Sequence, residues 1–198
     1  MTTQQEELFA KARGLRVAFF DSDGVMFSNT VLMGAPFKAK ERSYYDGQGT
    51  SLLRAVGVRV VFITNEKGDS AAAIRDTVAK LNSLASAQPQ DPNGWEPVVL
   101  YEGRGGLKKL DTAREYLSEH GFTLDQASFM GDDLVDANLL REVGLPAAPA
   151  QAEEVIRKLC LERGGFVAMR EGGAGAIRDF ANMVLEARDI DPFTLPPQ

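Results

Sequence analysis

Carboxylates that follow two short apolar segments are the residues of this sequence best suited to chemistry. Asp21 and Asp23 come after the apolar run 17–20, and Asp132 comes after the apolar run 127–130. Neighbouring carboxylates can supply a nucleophile, a general acid or base, and oxygen ligands for a hard cation such as Mg²⁺. Hydrolysis of a phosphate monoester requires all three, because an enzyme has to accelerate it by up to ~10²¹-fold. The pattern predicts phosphoryl-transfer chemistry, with Asp132 completing a Mg²⁺ site.

The first two carboxylates and two further residues can be assigned roles by their type. One of Asp21 and Asp23 would attack phosphorus while the other protonates the leaving oxygen, because Gly24 lets the chain turn directly after them. Thr64 would offer its hydroxyl to a phosphoryl oxygen, and Lys109 would offer a positive charge to the transition state. Together these residues supply each function that phosphoryl transfer needs.

Each motif, taken alone, also fits an ordinary structural role. An Asp-x-Asp-Gly segment often forms a turn, and Thr64 suits the N-cap of a helix. Lys109 suits the solvated face of a helix, and Gly131-Asp132-Asp133 suits the cap of the helix that follows. The order of the motifs, most of them at the ends of predicted strands, favours the functional interpretation over several unrelated structural ones.

Strands that alternate with helices are the main signal of the fold. Apolar runs predict strands at 17–20, 58–63, 97–101, 127–130 and 166–168. Helical patterns lie around 52–56, 70–81, 107–120, 136–143, 155–161 and 174–187. This alternation predicts the α/β class, with a Rossmann-like, doubly wound parallel sheet and helices on both faces. Ligands bind beyond the carboxyl ends of such strands, so we expect the motif residues to meet there.

A single domain over residues 1–198 is expected, with three features outside the sheet and its helices. Weak alternation around Gly34-Ala35-Pro36 predicts a β-hairpin that projects from the core at about 29–45. Prolines and a glycine mark residues 82–96 as a surface insertion, and the proline-rich residues 191–198 are expected to form a loose tail.

Composition limits the cellular location and the binding partners that we expect for the protein. The chain is 44% hydrophobic and 25% charged, and its single cysteine, Cys160, excludes a disulfide framework within one chain. No apolar run is long enough to span a membrane, and the N-terminus lacks the pattern of a signal peptide, so a cytoplasmic location is expected. A net charge of -6 argues against a general nucleic-acid binder but not against an anionic substrate, because one metal ion can invert the local field.

The ordered motifs resemble those of the haloacid dehalogenase (HAD) superfamily of phosphatases along nearly the whole chain. They are Asp21-Ser22-Asp23-Gly24-Val25, Ile63-Thr64-Asn65, Lys109, and Gly131-Asp132-Asp133 with Asp136. The resemblance implies that Asp21 is the nucleophile and that Asp23 is the acid and base. It also implies Mg²⁺ bound by Asp21, Asp132 and the backbone carbonyl of Asp23. Asp133 and Asp136 would be further ligands or supports of the ligands.

Spacing places the chain among the capless members of this superfamily. Asp23 and Thr64 lie 41 positions apart, and Thr64 and Lys109 lie 45 apart, so neither interval holds a cap domain beside its helix and strand. The chain is similar to phosphatases of 3-deoxy-octulosonate 8-phosphate and of nine-carbon sugar acid phosphates. That group has a segment like Gly172–Arg178 and typically forms homotetramers, in which the hairpin and a neighbour's C-terminal segment close each site.

The resemblance suggests the substrate less firmly than the chemistry. It implies a 2-keto-3-deoxy sugar acid phosphate, with Asn65 and Glu66 near the substrate. Glu66 fits the nine-carbon kind, although a helix-start glutamate has the same appearance. Arg178 would bind a neighbour's substrate, since its planar guanidinium suits a carboxylate, but a surface salt bridge explains it equally.

The sequence departs from the family pattern at several positions, and two other functions remain as alternatives. Phe27-Ser28-Asn29 stands where the family usually has Thr-Asp-Gly. Two extra residues precede Lys109 relative to the family, so Lys108 is an alternative to Lys109 as the motif lysine. The alternatives are a phosphatase of another metabolite on the same scaffold, or a non-catalytic partner that resembles a phospho-receiver. Asp23 argues against the receiver, which has no use for a leaving-group acid.

Overall fold

A parallel sheet forms the centre of the protein in a computed structural model, which describes residues 2–34, 37–84 and 95–195. The strands are β1 (Val17–Phe20), β2 (Val31–Gly34), β3 (Phe37–Lys40), β4 (Arg59–Ile63), β5 (Val99–Tyr101), β6 (Ala127–Met130), β7 (Leu145–Ala148) and β8 (Phe166–Val167). The central sheet has six parallel strands in the order β5-β4-β1-β6-β7-β8, and β2 pairs with β3 as a separate antiparallel hairpin.

Helices cover both faces of the sheet, as the alternation of strands and helices predicted. They are α1 (Thr3–Gly14), α2 (Tyr44–Ala55), α3 (Ala72–Ser83), α4 (Leu107–His120), α5 (Ala137–Leu140), α6 (Glu154–Glu162) and α7 (Ala176–Ala187). The described residues between β1 and α2, and between β4 and α4, hold no cap domain. The prediction of a capless, doubly wound α/β fold with a projecting hairpin is therefore confirmed.

Alternation along the strands divides the core into two layers. In β1, Ala18 and Phe20 face a layer that includes Phe180 of α7, whereas Val17 and Phe19 face a layer that includes Tyr116 of α4. Strands that are buried on both faces have continuous apolar sequences, and this is why these strands could be predicted from the sequence. Phe20, the last residue of β1, pairs with Phe62 of β4 and Met130 of β6, so three strand ends lie side by side.

Two elements, α1 and β7, were missed by the sequence analysis. The sequence of α1 is mostly polar, and among its residues only Phe9 and Ala12 are buried. The sequence of β7 is Leu-Pro-Ala-Ala, which has weak strand preference, and proline usually argues against an inner strand. Pro146 is paired only with β6, because the pairing of β7 with β8 begins at the next residue, Ala147. The missing N–H of proline therefore removes no hydrogen bond to β8.

The boundaries of the predicted hairpin, insertion and tail differ from the observed elements. Tyr44 and Tyr45, assigned to the hairpin, instead begin α2, because the Ser43 side chain accepts a hydrogen bond from the Tyr45 N–H and caps the helix. Residues 85–94 of the predicted insertion, and 196–198 of the predicted tail, lie outside the described residues. Pro192–Thr194 forms a single 3-10 turn capped by Asp191.

None of the described helices is long and apolar enough to cross a membrane. The cytoplasmic location stays a prediction, as does the expectation that the protein does not bind nucleic acid.

Candidate active site

Asp21 lies at the centre of the carboxyl edge of the sheet. Its N–H donates to the Met130 carbonyl at 3.0 Å, which continues the pairing of β1 with β6 by one residue. The side chain is only 12% exposed. Its Oδ1 accepts a hydrogen bond from the Ser22 N–H at 2.7 Å, and its Oδ2 lies 2.8 Å from Lys109 Nζ. The carboxylate is therefore held from two sides at the edge where ligands bind in such sheets.

The turn after Asp21 depends on glycine. The Ser22 carbonyl accepts hydrogen bonds from the N–H groups of Met26 and Phe27, both at 3.0 Å, which closes the turn. Gly24 has a φ of 75°, and a Cβ at this position would lie 1.9 Å from Asp132 Oδ2. Gly24 therefore supplies both a left-handed backbone and the space that lets the loops after β1 and β6 approach.

Three carboxylates meet beside this turn. Oxygen atoms of Asp21, Asp132 and Asp136 lie within 4.8 Å of one another. Asp136 is fully buried, and its Oδ1 accepts from Lys109 Nζ at 2.5 Å. Its Oδ2 accepts from the N–H groups of Asp132 at 3.0 Å and of Asp133 at 3.3 Å. Both oxygens of Asp136 are therefore occupied by protein donors, which leaves Asp21 and Asp132 to line the cavity with their carboxylates.

Electrostatics at this cluster favour a divalent cation. Burial raises the pKa of Asp132 to about 7, and the negative charges of Asp136, Asp21 and Asp133 add to the effect. Burial also raises the pKa of Asp21 to about 7 although Lys109 opposes the shift. Lys109 pairs with Asp21 and Asp136 but not with Asp132, so the three carboxylates together carry excess negative charge when ionised. Hard oxygen donors with excess negative charge are the set that Mg²⁺ prefers, so these residues fit Mg²⁺.

Lys109, rather than Lys108, provides the positive charge of the site. Its side chain is 2% exposed and contacts both Asp21 and Asp136. Burial alone would lower the pKa of Lys109, but the two carboxylates outweigh burial and raise it, so the ammonium stays protonated. Lys108 is exposed on α4. The structure thus places Lys109, and not Lys108, beside Asp21, and the catalytic role of Lys109 stays a prediction.

The residues after β4 form the opposite wall of the site. Thr64 is buried, and its Oγ1 accepts a hydrogen bond from the Glu66 N–H at 3.1 Å. Asn65 is exposed and packs so closely on Gly105 that a Cβ there would lie 2.3 Å from Asn65 Oδ1. Glu66 turns to the hairpin, where its carboxylate pairs with Lys38 and Lys40.

These walls enclose a cavity of about 380 Å³. It is lined by Asp21, Asp23, Asn29, Thr64, Asn65, Glu66, Gly105, Gly106, Lys109, Asp132, Asp133 and Val135. The carboxylate of Asp133 accepts from the Leu134 N–H at 2.6 Å and caps a 3-10 turn, so Asp133 shapes the wall while its side chain is used locally.

Arg178 lies away from the cavity of its own chain, whereas the other predicted site residues line the cavity or, like Asp136, contact residues that line it. Its side chain donates to Asn182 Oδ1 at 2.9 Å and to Gln48 Oε1 at 3.1 Å. Gly172, expected to be free to cover a neighbour's site, instead packs on its own chain, where a Cβ would lie 1.8 Å from the Gly24 carbonyl oxygen. The start of this C-terminal segment therefore supports the turn after Asp21 in its own chain, and the closing of a neighbour's site by the segment stays a prediction.

The sequence analysis missed two lysines that reach the site from the hairpin. Lys40 Nζ lies 2.5 Å from Asp23 Oδ1, and both Lys38 and Lys40 pair with Glu66. Alternate residues of a strand face the same way, so Lys38 and Lys40 of β3 share one face. This two-residue spacing was the signal that could have drawn attention to them.

Known proteins similar to this chain were found by sequence and by structure, but not among family models. No family model matches the chain. The 3-deoxy-D-manno-octulosonate 8-phosphate phosphatase KdsC of Yersinia pestis is 28% identical over 185 residues, which cover 93% of this chain and 87% of that protein. A crystal structure of a hypothetical protein from Xanthomonas campestris is 31% identical with a TM-score of 0.75, covering 92% of this chain and 88% of that one.

A third relative was solved with ligands. The Moraxella catarrhalis 3-deoxy-D-manno-octulosonate 8-phosphate phosphatase, in complex with magnesium ion, phosphate ion and KDO, has a TM-score of 0.79. It is 21% identical, and the match covers 95% of this chain and 96% of that one. At this identity the likeness shows the shared fold.

Fold, site and relatives together define the class of the protein. The chain is similar over most of its length to 3-deoxy-D-manno-octulosonate 8-phosphate phosphatases. The resemblance seen in the sequence is confirmed, and so is the prediction that the chain is a phosphoric monoester hydrolase.

Proposed function

We propose that this protein is a Mg²⁺-dependent phosphatase that forms an aspartyl-phosphate on Asp21 and acts on a 2-keto-3-deoxy sugar acid phosphate. The observation that carries the proposal is the buried carboxylate of Asp21, which lies between Lys109 and the Asp132 cluster and lines a cavity that Asp23 also lines. Relatives over most of the chain are phosphatases of this substrate class.

The residues of the site fit a two-step reaction. In the first step an oxygen of Asp21 bonds to phosphorus while the bond to the substrate oxygen breaks, and Asp23 gives that oxygen a proton. Thr64 and Lys109 bind the phosphoryl oxygens, where negative charge is greatest. In the second step Asp23 takes a proton from water, the water oxygen bonds to phosphorus, and the carboxylate of Asp21 is released with inorganic phosphate.

Mg²⁺ has a defined place in this proposal. Asp21, Asp132 and the backbone carbonyl of Asp23 would hold it, and Asp136 would support them through its bonds to Lys109 and to the Asp132 N–H. When bound, Mg²⁺ supplies the positive charge that lets carboxylates and an anionic phosphoryl group lie together.

A substrate panel with the wild-type protein tests the proposal. With Mg²⁺ present, we expect kcat/KM for 3-deoxy-D-manno-octulosonate 8-phosphate and nine-carbon sugar acid 9-phosphates to exceed that for simple hexose phosphates by at least ~10²-fold, because carboxylate contacts add to phosphate binding. Excess EDTA should abolish turnover, and Mg²⁺ should restore it. Equal rates on all esters would instead favour a phosphatase of another metabolite, and no turnover on any ester would favour the non-catalytic partner.

We also propose that the protein forms a homo-oligomer, as a tetramer. The hairpin exposes Leu32 at 77% and Met33 at 78%, and a projecting pair of large apolar side chains is typical of a contact between subunits. Light scattering should give several times the mass of the 21.5 kDa chain. If Arg178 reaches a neighbour's substrate, Arg178→Ala should raise KM for a sugar acid phosphate by ~10-fold or more and leave KM for para-nitrophenyl phosphate unchanged. A fully active monomer would contradict both proposals.

A further inference from the structure

The side chain of Lys40 is buried although it comes from the projecting hairpin. This side chain is 1% exposed, and its Nζ lies 2.5 Å from Asp23 Oδ1. The same ammonium pairs with Glu66 and lies 5.2 Å from the centre of the Phe27 ring. Removing a lysine from water is unfavourable unless partners compensate, and here two carboxylates and an aromatic face do so. The hairpin therefore places a fixed positive charge against Asp23.

The contact with Lys40 fixes one oxygen of Asp23 and leaves the rest of the carboxylate in the cavity wall. Asp23 Oδ1 is buried, and within the described residues it makes no hydrogen bond besides its ion pair with Lys40. The Asp23 side chain as a whole is 37% exposed and lines the cavity. Without Lys40, no described group would hold this oxygen, and the carboxylate could rotate about its Cβ–Cγ bond.

Glu66 in turn holds Lys40 in place. One carboxylate oxygen of Glu66 pairs with Lys38 and the other pairs with Lys40. Burial alone would raise the pKa of Glu66, but the two lysines hold it below its usual range, so Glu66 stays ionised. The backbone of Glu66 is attached to Thr64 through the hydrogen bond from its N–H to Thr64 Oγ1. Glu66 therefore ties the hairpin to the end of β4, a role different from the substrate contact predicted for it.

We propose that Lys40 is a positioning residue that orients the carboxylate of Asp23 for proton transfer to the leaving oxygen, and that Glu66 keeps Lys40 in place. This inference rests on the proposed function, in which Asp23 is the acid. General acids contribute ~10²–10⁴-fold to a rate, and most of that is lost when the acid is misaligned. Lys40 thus makes the hairpin part of the catalytic geometry of its own chain.

A pair of aryl phosphates separates positioning of the acid from a general structural role. Phenyl phosphate and para-nitrophenyl phosphate present the same ring, but phenolate needs a proton to leave whereas para-nitrophenolate is stable without one. The quantity to compare is kcat/KM, which includes only the steps up to release of the phenol. Lys40→Met should lower it ~10²-fold for phenyl phosphate and less than ~10-fold for para-nitrophenyl phosphate. Lys40→Arg should restore part of the loss, because a guanidinium can also bind Asp23.

Two variants provide the reference points. Asp23→Asn should show the same selective loss in a stronger form. Lys38→Met removes a hairpin charge that, within the described residues, contacts Glu66 but not Asp23, so it should leave the ratio of the two kcat/KM values unchanged. Should Lys40→Met fail to fold, Glu66→Gln keeps the lysine and loosens it, and should shift the ratio in the same direction by a smaller factor.

The outcomes distinguish failure of this inference from failure of the proposed function. Equal losses on both esters in Lys40→Met, or an unchanged ratio in both Lys40→Met and Glu66→Gln, would overturn the positioning role while the wild type remains active. A wild type that hydrolyses neither ester, or an Asp23→Asn variant without the selective loss, would instead contradict the function proposed for Asp23.

Discussion

Asp21→Asn is expected to lower kcat on the order of 10⁵- to 10⁶-fold, as removal of a nucleophile does in other covalent mechanisms. An amide oxygen has no negative charge to direct at phosphorus and cannot form a stable acyl phosphate. The fold should persist, because asparagine matches aspartate in shape, can still accept from the Ser22 N–H, and leaves Lys109 paired with Asp136.

Mass spectrometry after acid quenching provides the direct measurement. The wild type mixed with substrate should gain one phosphoryl group on the peptide that contains Asp21, and Asp21→Asn should gain none. Asp133→Asn is a matched control, since it removes a carboxylate from the same cavity wall and should retain measurable turnover. A phosphoryl group on Asp21→Asn, or turnover of that variant above a trace, would contradict the proposed nucleophile.

The parts of the site at strand ends were predictable from the sequence for a geometric reason. Parallel strands deliver their following residues to one edge, so Asp21, Thr64 and Asp132 were expected to converge once their strands were recognised. Helix register is harder to read. Lys108 and Lys109 both lie in the first turn of α4, and only the packing of that helix on the sheet, which buries Lys109 near the Phe129 ring, decides between them.

Contacts that join distant segments could not be predicted from local pattern. Lys40 lies against Asp23 while it also pairs with Glu66, which holds the hairpin against the end of β4. Gln151 helps to hold Gly172 on the Gly24 carbonyl, because it donates to that carbonyl at 2.7 Å and accepts from the Gly172 N–H at 2.7 Å. Each depends on where a third residue lies after folding, which neither periodicity nor turn preference encodes.

Such contacts give the capless site a rigid frame within one chain. Asp46 is fully buried on α2 and accepts hydrogen bonds from the N–H groups of Gly175 and Ile177, both at 2.9 Å. These bonds hold the start of α7 against α2, and the Gly173 N–H, which donates to the Val25 carbonyl at 2.9 Å, ties the preceding glycines to the turn after Asp21. A larger domain is therefore not needed to fix the catalytic loop, although enclosure of the substrate still requires the hairpin and, in our proposal, a neighbouring subunit.

Lys109→Met is expected to change both stability and activity. Removing one partner of a buried ion pair costs about 3–5 kcal/mol, because the remaining charges stay buried without compensation. Here the remaining charges are the carboxylates of Asp21 and Asp136. Urea denaturation without divalent cations should show this loss in the free energy of unfolding. Turnover should fall ~10²–10³-fold, the usual effect of deleting one group that binds transition-state charge. Lys108→Met, one residue away and exposed, should change neither quantity.

Mg²⁺ should reveal whether Lys109 and the metal neutralise the same carboxylates. Burial and neighbouring carboxylates raise the pKa values of Asp21 and Asp132, and loss of Lys109 leaves more negative charge to be offset. A cation that binds the folded state stabilises it by RT ln(1 + [L]/Kd), so tighter binding at the same concentration gives a larger increase in stability. Saturating Mg²⁺ should therefore raise the unfolding temperature of Lys109→Met by more than it raises that of the wild type, while activity remains low. Equal shifts in both proteins, measured at the same pH and the same ionic strength, would show that lysine and metal act on separate charges.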